Sequence, residues 1–555
     1  MIHLARFRRP FLWLAFFLFS LGLGFAFTRT GVSTWDSLQH LIRGDWLIGK
    51  YGLPTHGHEG RINDTLMWYG PLWELWLGFS GATFLYFVRD PTWVRHALTF
   101  SLFPMTLAVI VALLRRVGYS RSTSFLCASL VLCLIRLGGH SLLNVTDAPL
   151  ATFYTISGFA IWLGARRILT VEAAGDSRLQ AGRLLATTFW VLAPYLVRPP
   201  VLLPLVLWLG VVAWMPLPNG APRLWKRGWA RSGLVLLGAM ALCFLLWPSL
   251  WVRGYSGWGH SFRQFASFPW IGPVRAWGVT HPSTSLPRNY ALLWFPVVMT
   301  PVAFLCAGLG FLGHALPSAS ATPTGKLPLD LPGGFKISLS FRACLGLFAA
   351  LGWLAVLVMH PVLYDEDRHL LFLFPPLMIW AGLGWEAFAP RFRWIAALLC
   401  LVSGLVSYAG WGVYSYVYKS PLAGDRSPDA YMGDYWGVCV PRLLLKLPRH
   451  APSGSELVVP GPTESAEIQL ARMGKSQDYT LLAQPSGTRE FYAIQFNRMG
   501  ALSSVREDVA QGKAIQLESE RMPPGDDACW LVKYPLTSLR RTLPTGTERD
   551  AGFLK

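Results

Sequence analysis

The chain is poor in charge, and poorest in negative charge. Of its 555 residues only 14% are Asp, Glu, Lys or Arg, and 30 acidic residues stand against 49 basic ones. A soluble protein carries roughly a quarter charged residues, so an ordinary water-soluble enzyme is excluded. Apolar residues fill the gap: 53% of the chain is hydrophobic and mean hydropathy is +0.38. Cysteine is scarce as well. Six of the eight cysteines, at 127, 133, 243, 306, 344 and 400, fall in or beside apolar runs and read as packing residues, which leaves Cys439 and Cys529 in the polar tail. Those two would pair if the tail faces an oxidising compartment and would otherwise stay free thiols. No internal repeat is present, which disfavours a transporter of the inverted-repeat kind.

The formal net charge of +19 would suit a nucleic-acid partner if the cations formed one face. Instead they sit in short clusters beside apolar runs, the pattern of cytoplasmic loops facing anionic lipid. Runs long enough to span cover approximately 10–28, 92–114, 123–143, 148–165, 184–197, 199–216, 232–250, 290–313, 343–362, 369–388 and 394–416. Arg6, Arg8 and Arg9 precede the first. The clusters Arg115/Arg116/Arg121, Arg166/Arg167/Arg178/Arg183, Arg223/Lys226/Arg227/Arg231, Lys326/Lys336/Arg342 and Arg391/Arg393 all fall on that same side if the amino terminus is cytoplasmic. The apolar start lacks a small-x-small cleavage site and reads as an uncleaved first span.

The expected architecture is therefore an α-helical polytopic membrane protein, with about 11 transmembrane helices plus interfacial helices and a small carboxy-terminal extracytoplasmic α/β domain. Residues 1–416 form the membrane domain, with a first outer loop at 29–91 and a large outer loop at 251–289, and residues 417–555 form the tail domain. The segment at 69–87 reads as an interfacial or re-entrant helix, because a full span there would invert every later loop. Arg198-Pro199-Pro200 breaks one long apolar run into two short helices meeting near the outer face. ALPSASATPTGKLPLDLPGGF reads as a cytoplasmic linker. In the tail, SELVVP, YTLLAQP, FYAIQF and CWLVKYP read as strands, and VPRLLLKLP and ESAEIQLARM as helices.

Four outer segments carry chemistry-bearing residues. Asp36 follows the first span, ahead of Leu38, Leu41, Ile42 and Trp46 at helical spacing; capping that surface helix would account for it equally. Asp147 lies between the third and fourth spans, where a helix start is the competing explanation. The large outer loop holds Arg253, Arg263, Arg275 and Arg288 against the usual charge bias, and recognition of an anion would explain them. LYDEDRHLLFLFPPL places Arg368 and His369 beneath three acidic residues, either as a solvated turn with internal ion pairs or as the rim of a site.

In order, the chain thus presents a first-loop Asp36, Tyr69-Gly70-Pro71-Leu72-Trp73, Thr146-Asp147-Ala148-Pro149-Leu150, Arg198-Pro199-Pro200 and Arg368-His369-Leu370-Leu371-Phe372 followed by Pro375-Pro376-Leu377. This series resembles the family-39-like branch of the GT-C integral-membrane glycosyltransferases, relatives of protein O-mannosyltransferases and aminoarabinose transferases. Asp434-Tyr435-Trp436-Gly437 is similar to bacterial members. The resemblance implies a monosaccharide donor linked to polyprenyl phosphate and transfer on the extracytoplasmic face, with Asp36 and Asp147 at the acidic positions. Two departures stand out: Ser37 follows Asp36 where many members have Glu, and Gly70 stands where some relatives carry Lys.

Polyprenyl phosphate is already a good leaving group, so such a site needs one base and cations for the departing phosphate rather than a carboxylate pair. Asp36 is then the expected base. Asp147 would orient the acceptor or Asp36, or help hold a divalent cation if one is used. Arg198, Arg263, Arg288, Arg368 and His369 form the pool for phosphate contact. No clustered ligand spacing assigns a metal, and the lipid-linked sugar enters as substrate rather than cofactor. The expected partners are the donor lipid, the bilayer and an acceptor protein, glycolipid or glycan, with no nucleic acid; the expected location is a bacterial inner membrane. The alternative, a transporter or flippase for an anionic lipid or solute, would place ionisable residues at mid-membrane, and the spans read here have almost none. The sequons at Asn63 and Asn144 read as chance.

Overall fold

A computed structural model describes residues 2–28, 34, 37–53, 66–84, 91–173, 177–199, 201–215, 224–254, 256–266, 272–316, 326–330, 336–426, 430–461, 463–482, 484–498, 501–523 and 525–536. Among these, five helices are long and apolar enough to cross a membrane: Thr92–Val117, Asp147–Leu169, Phe341–Met359, Arg368–Ala387 and Pro390–Val417. Shorter apolar helices, Leu12–Thr28, Arg121–Leu132, Leu203–Trp214, Ala230–Leu246 and Pro301–Gly313, stand among them. The chain is a polytopic helical membrane protein. The helix that starts at Asp147 is buried on nearly every face and is central. The one that starts at Pro390 turns Leu398, Leu405 and Val406 outward and is peripheral.

Several expected spans are interrupted, and proline or backbone pairing explains where. The run 123–143 divides into Arg121–Leu132 and Ile135–Leu143, because Leu134 leaves the helix to bridge Met299. The run 290–313 divides into Tyr290–Leu293, Phe295–Val298 and Pro301–Gly313, with Pro296 and Pro301 at the restarts. The run 232–250 stops before Pro248. The expected spans 184–197 and 199–216 appear as two short helices, Ser177–Leu192 and Leu203–Trp214, with Arg198 on a non-helical strap after the first. The helix Leu72–Phe84 packs along Ser37–Lys50. Two hairpins punctuate the helices: β1 (Pro273–Ala276) with β2 (Val279–Pro282), and β3 (Leu327–Asp330) with β4 (Lys336–Leu339). The second corrects the reading of that segment as a plain linker. Leu327 and Leu329 alternate inward and are buried, which gives the strand a face to bury.

The tail is a five-stranded sheet of β5 (Ser455–Val458), β6 (Tyr479–Leu482), β7 (Phe491–Phe496), β8 (Ile515–Met522) and β9 (Asp526–Tyr534), in the order β6-β5-β7-β9-β8. β5 runs parallel to both neighbours; β7, β9 and β8 are antiparallel. Strand alternation sorts its side chains. Leu457, Tyr492, Ile494 and Leu531 pack with the helices Cys439–Leu444 and Thr463–Arg472, while Val458, Ala493 and Val532 pack with Leu502–Ala510. Cys439 and Cys529 form a disulfide, Cα to Cα 5.9 Å, tying the first of those helices to β9.

The ends of the bundle differ in kind. At one, Arg393 reaches Ser120 and Thr123 and pairs with Glu386, and Tyr119 meets Phe341 beside Arg342. At the other gather Asn144–Asp147, Arg198, residues 363–369 and the tail.

Candidate active site

Asp147 opens its helix without capping it. Thr146 flanks that helix, its carbonyl accepting from the Leu150 N–H at 3.0 Å, and Asn144 Oδ1 accepts from the N–H groups of Thr146 (2.9 Å) and Asp147 (2.8 Å). The same Asn144 is buried, so its sequon is not an open glycosylation acceptor. Released from capping, the Asp147 carboxylate meets two guanidinium groups: Oδ1 lies 2.5 Å from Arg198 Nη1 and Oδ2 lies 2.8 Å from Arg368 Nε. Asn144 Nδ2 also donates to Oδ2, at 2.5 Å.

Arg198 arrives on a strap whose backbone is paired. Gly70 N–H donates to the Val197 carbonyl at 3.1 Å and Leu72 N–H to the Leu196 carbonyl at 3.0 Å. A Cβ on Gly70 would sit 2.1 Å from the Leu196 carbonyl group, so this close approach requires glycine. Two cations stand at this point: Arg43 Nη2 donates to the Gly70 carbonyl at 3.3 Å, and Arg198 Nη2 reaches the Tyr69 hydroxyl at 3.4 Å.

The stretch 365–369 is no wetted turn. Asp365, Glu366, Asp367 and Arg368 are all buried. Asp365 and Glu366 adopt left-handed backbone at φ 53° and 65°, a conformation costly for side chains with a Cβ, and the sharp bend fans the carboxylates apart. Asp365 accepts from Arg368 Nη1 at 2.9 Å and from Arg498 Nη2 at 2.8 Å. Glu366 accepts from the Met432 N–H at 2.8 Å and lies 2.6 Å from Arg136 Nη1, which also pairs with Asp367. Burial, with Arg136 opposing and Glu366 adding, pushes the Asp367 carboxyl up to about 6. Buried charges hold only when paired this fully.

The tail domain completes the cluster. The Trp436 ring lies 4.4 Å from the Arg368 guanidinium, a cation–π contact. Tyr435 hydroxyl and His140 Nε2 are 2.8 Å apart. Both aromatics are set by Asp434, whose carboxylate accepts from the N–H groups of Val438 and Cys439 and from the Tyr416 hydroxyl. Asp434, Cys439 and Cys529 lie close together, but the disulfide leaves no thiolate to bind a metal.

Beside the arginines opens a cavity of about 180 Å³ whose polar lining includes Arg198, Tyr364 and His369 and whose remaining wall is mostly apolar, Val201, Val356, Met359 and Phe372 among it. Met359 is 66% exposed and adjoins Val358 at 68%, so the apolar flank reaches the lipid-facing surface. His369 Nε2 is buried with no hydrogen-bond partner among the described residues. A second cavity of about 220 Å³ shares Val356, Pro361 and Leu363 with the first and is lined by Arg288 and His360.

The fold therefore brings Asp147, Arg198, Arg368 and His369 together. Arg288 lies in the neighbouring cavity. Arg263 is exposed on the helix Ser256–Ala266 and donates to the Gly259 carbonyl of that helix at 3.2 Å. Asp36 lies outside the described residues. Sequence reasoning missed Arg136, which sits within the expected span 123–143 and pairs with Glu366 and Asp367. A lone cation in an apolar run was the available signal, since it needs a partner. Glu74 was missed as well. It is buried against His40 Nδ1 (2.6 Å), Arg95 and Arg43 Nη1 (3.8 Å). Burial works to raise its carboxyl, but Arg95, His40 and Arg43 together hold it down at about 2.

No protein-family model and no curated protein matches the chain. Among solved structures it is similar to the crystal structure of ArnT from Cupriavidus metallidurans bound to undecaprenyl phosphate, with a TM-score of 0.48 and 12% identity, covering 94% of this chain and 97% of that chain. So distant a likeness assigns no residue.

Proposed function

We propose that the chain is an integral-membrane glycosyltransferase that moves a monosaccharide from a polyprenyl-phosphate donor to an acceptor on the extracytoplasmic face. The carrying observation is the cavity itself: buried arginine at one part of its lining, apolar wall elsewhere, and a flank that reaches lipid. A polyprenyl phosphate has that same division, an anion joined to a long hydrocarbon. The motif series around Asp36, Asp147, Arg198 and Arg368 supports the same reading.

In this mechanism an acceptor hydroxyl or amine attacks the anomeric carbon and the bond from that carbon to the phosphate oxygen breaks. Negative charge grows on the departing phosphate, where Arg198 and His369, with Arg368 behind them, oppose it. The acceptor's proton passes to Asp36. Asp147 serves as a positioning residue, because both of its oxygens already hold the two guanidinium groups. A divalent cation at Asp147 would have to displace Arg198 or Arg368 from that carboxylate. Residues 1–416 act as the membrane catalytic domain, and residues 417–555 cap it through Trp436 and Arg498. The basic clusters at the far end of the bundle and the Cys439–Cys529 disulfide support an extracytoplasmic site in a bacterial inner membrane.

The test is transfer of radiolabelled sugar from polyprenyl-phosphate donors by purified protein. Wild type should transfer, and Asp36→Asn and Arg198→Gln, still folded, should not. Donor binding without transfer to any acceptor, coupled to movement of the lipid between leaflets, would favour the transporter alternative.

A further inference from the structure

The Glu74 cluster takes no part in the chemistry above, yet Glu74 and Arg43 are each 1% exposed. Charge removed so fully from water is costly unless the fold uses it. Its connections lead toward Arg198. Arg43 Nη2 donates to the carbonyls of Tyr69 at 2.7 Å and Gly70 at 3.3 Å. Those two residues open the segment whose backbone pairs with Leu196 and Val197, immediately before Arg198. The Tyr69 side chain then meets Arg198 directly, its hydroxyl accepting from Nη2 at 3.4 Å and its ring lying 5.6 Å from the guanidinium. Behind Arg43, Glu74 is clamped by Arg95, which packs so closely on the helix Ser37–Lys50 that a Cβ at Gly44 would lie 2.5 Å from its Nη1. Three elements, the first-loop helix, the helix Leu72–Phe84 and the helix Pro91–Val117, thus fix one short stretch of backbone.

We propose that Glu74 and Arg43 are positioning residues for Arg198: the ion cluster holds Tyr69 and Gly70, these set the register of the strap at Leu196 and Val197, and the strap delivers Arg198 to the phosphate end of the cavity. This rests on the reading of that cavity as the donor site. Lysine cannot replace Arg43 in the role, since a single ammonium lacks the fork that reaches the Tyr69 and Gly70 carbonyls and Glu74 together.

The experiment measures the affinity of full-length protein in detergent for radiolabelled undecaprenyl phosphate, with thermal unfolding as the folding control. Arg198→Gln should weaken binding, and Arg43→Lys should weaken it about tenfold. The double variant should bind no more weakly than Arg198→Gln alone, because a residue that acts through Arg198 has nothing left to act on. Tyr69→Phe buries no uncompensated charge and decides the matter if Arg43→Lys fails to fold; its smaller loss should likewise vanish in the Arg198→Gln background. Additive losses, or unchanged affinity in Arg43→Lys and Tyr69→Phe while Arg198→Gln is weakened, overturn this inference alone. Wild type that does not bind undecaprenyl phosphate overturns the donor-site reading and the inference with it.

Discussion

Replacing Asp147 by asparagine tests the electrostatics of the site most directly. The substitution keeps the shape of the side chain and removes one negative charge from between Arg198 Nη1 at 2.5 Å and Arg368 Nε at 2.8 Å. Arg368 retains Asp365 at 2.9 Å, whereas Arg198 is left with the Tyr69 hydroxyl at 3.4 Å. Breaking a buried pair by removing one partner costs about 3–5 kcal/mol, so Asp147→Asn should lose stability of that order. An anion in the cavity would restore the missing charge. At a ligand concentration about 100 times Kd, wild type should gain about 2.7 kcal/mol from undecaprenyl phosphate by mass action. The variant should gain more at the same concentration, because phosphate now offsets an uncompensated guanidinium. Thermal unfolding of both proteins with and without the lipid reads both effects. Wild-type stability in Asp147→Asn, or an equal gain from lipid in both proteins, would refute the reasoning.

Gly70→Ala should abolish folding or expel Arg198 from the cavity, given the 2.1 Å approach of a Cβ to the Leu196 carbonyl group; expression and undecaprenyl phosphate binding check it. Trp436→Leu removes the ring 4.4 Å from Arg368 and should cost about 0.5–2 kcal/mol, seen as weaker donor binding with the tail domain still folded. The Asp367 carboxyl, raised to about 6 from 3.8, binds its proton more tightly in the folded protein than in the unfolded chain. Its contribution to stability therefore rises as pH falls from above about 6 towards about 4. Asp367→Asn should remove that part of the pH dependence, on the order of 1–3 kcal/mol, and identical pH profiles for the two proteins would contradict it. Replacing Cys439 and Cys529 by serine should destabilise the tail domain by about 2–5 kcal/mol and loosen Trp436, measured as a lower unfolding temperature of that domain.

The rim read at LYDEDRH illustrates how far a one-dimensional reading reaches. Five ionisable residues between apolar runs mark an unusual place, and the Asp365–Arg368 pair is local, but the other partners are not. Asp365 takes Arg498 from the tail, while Glu366 and Asp367 take Arg136 from a broken helix. Nothing in the spacing of those residues announces either partner. Glu74 shows the same limit, since its neighbours His40, Arg43 and Arg95 come from two other helices. In the tail, β8 went unread because IQLESERM carries charge on a half-exposed strand, where the alternation that reveals a strand is weak.

The sequence by itself determined that this is a helical membrane protein, that its basic residues cluster beside apolar runs, and that one long run breaks at Arg198-Pro199-Pro200. Those properties depend on hydropathy, charge bias and the missing N–H of proline, all of which are local. It also marked Asp147, Arg198, Arg368 and His369 as candidates, through charge placed at the edges of apolar runs. Tertiary structure alone decided that Asp147 bridges two arginines, that Gly70 must lack a side chain, and that the tail sets Trp436 on Arg368. Each of these depends on the distance between segments far apart in the chain, and buried charge reports its partner only once those segments have packed.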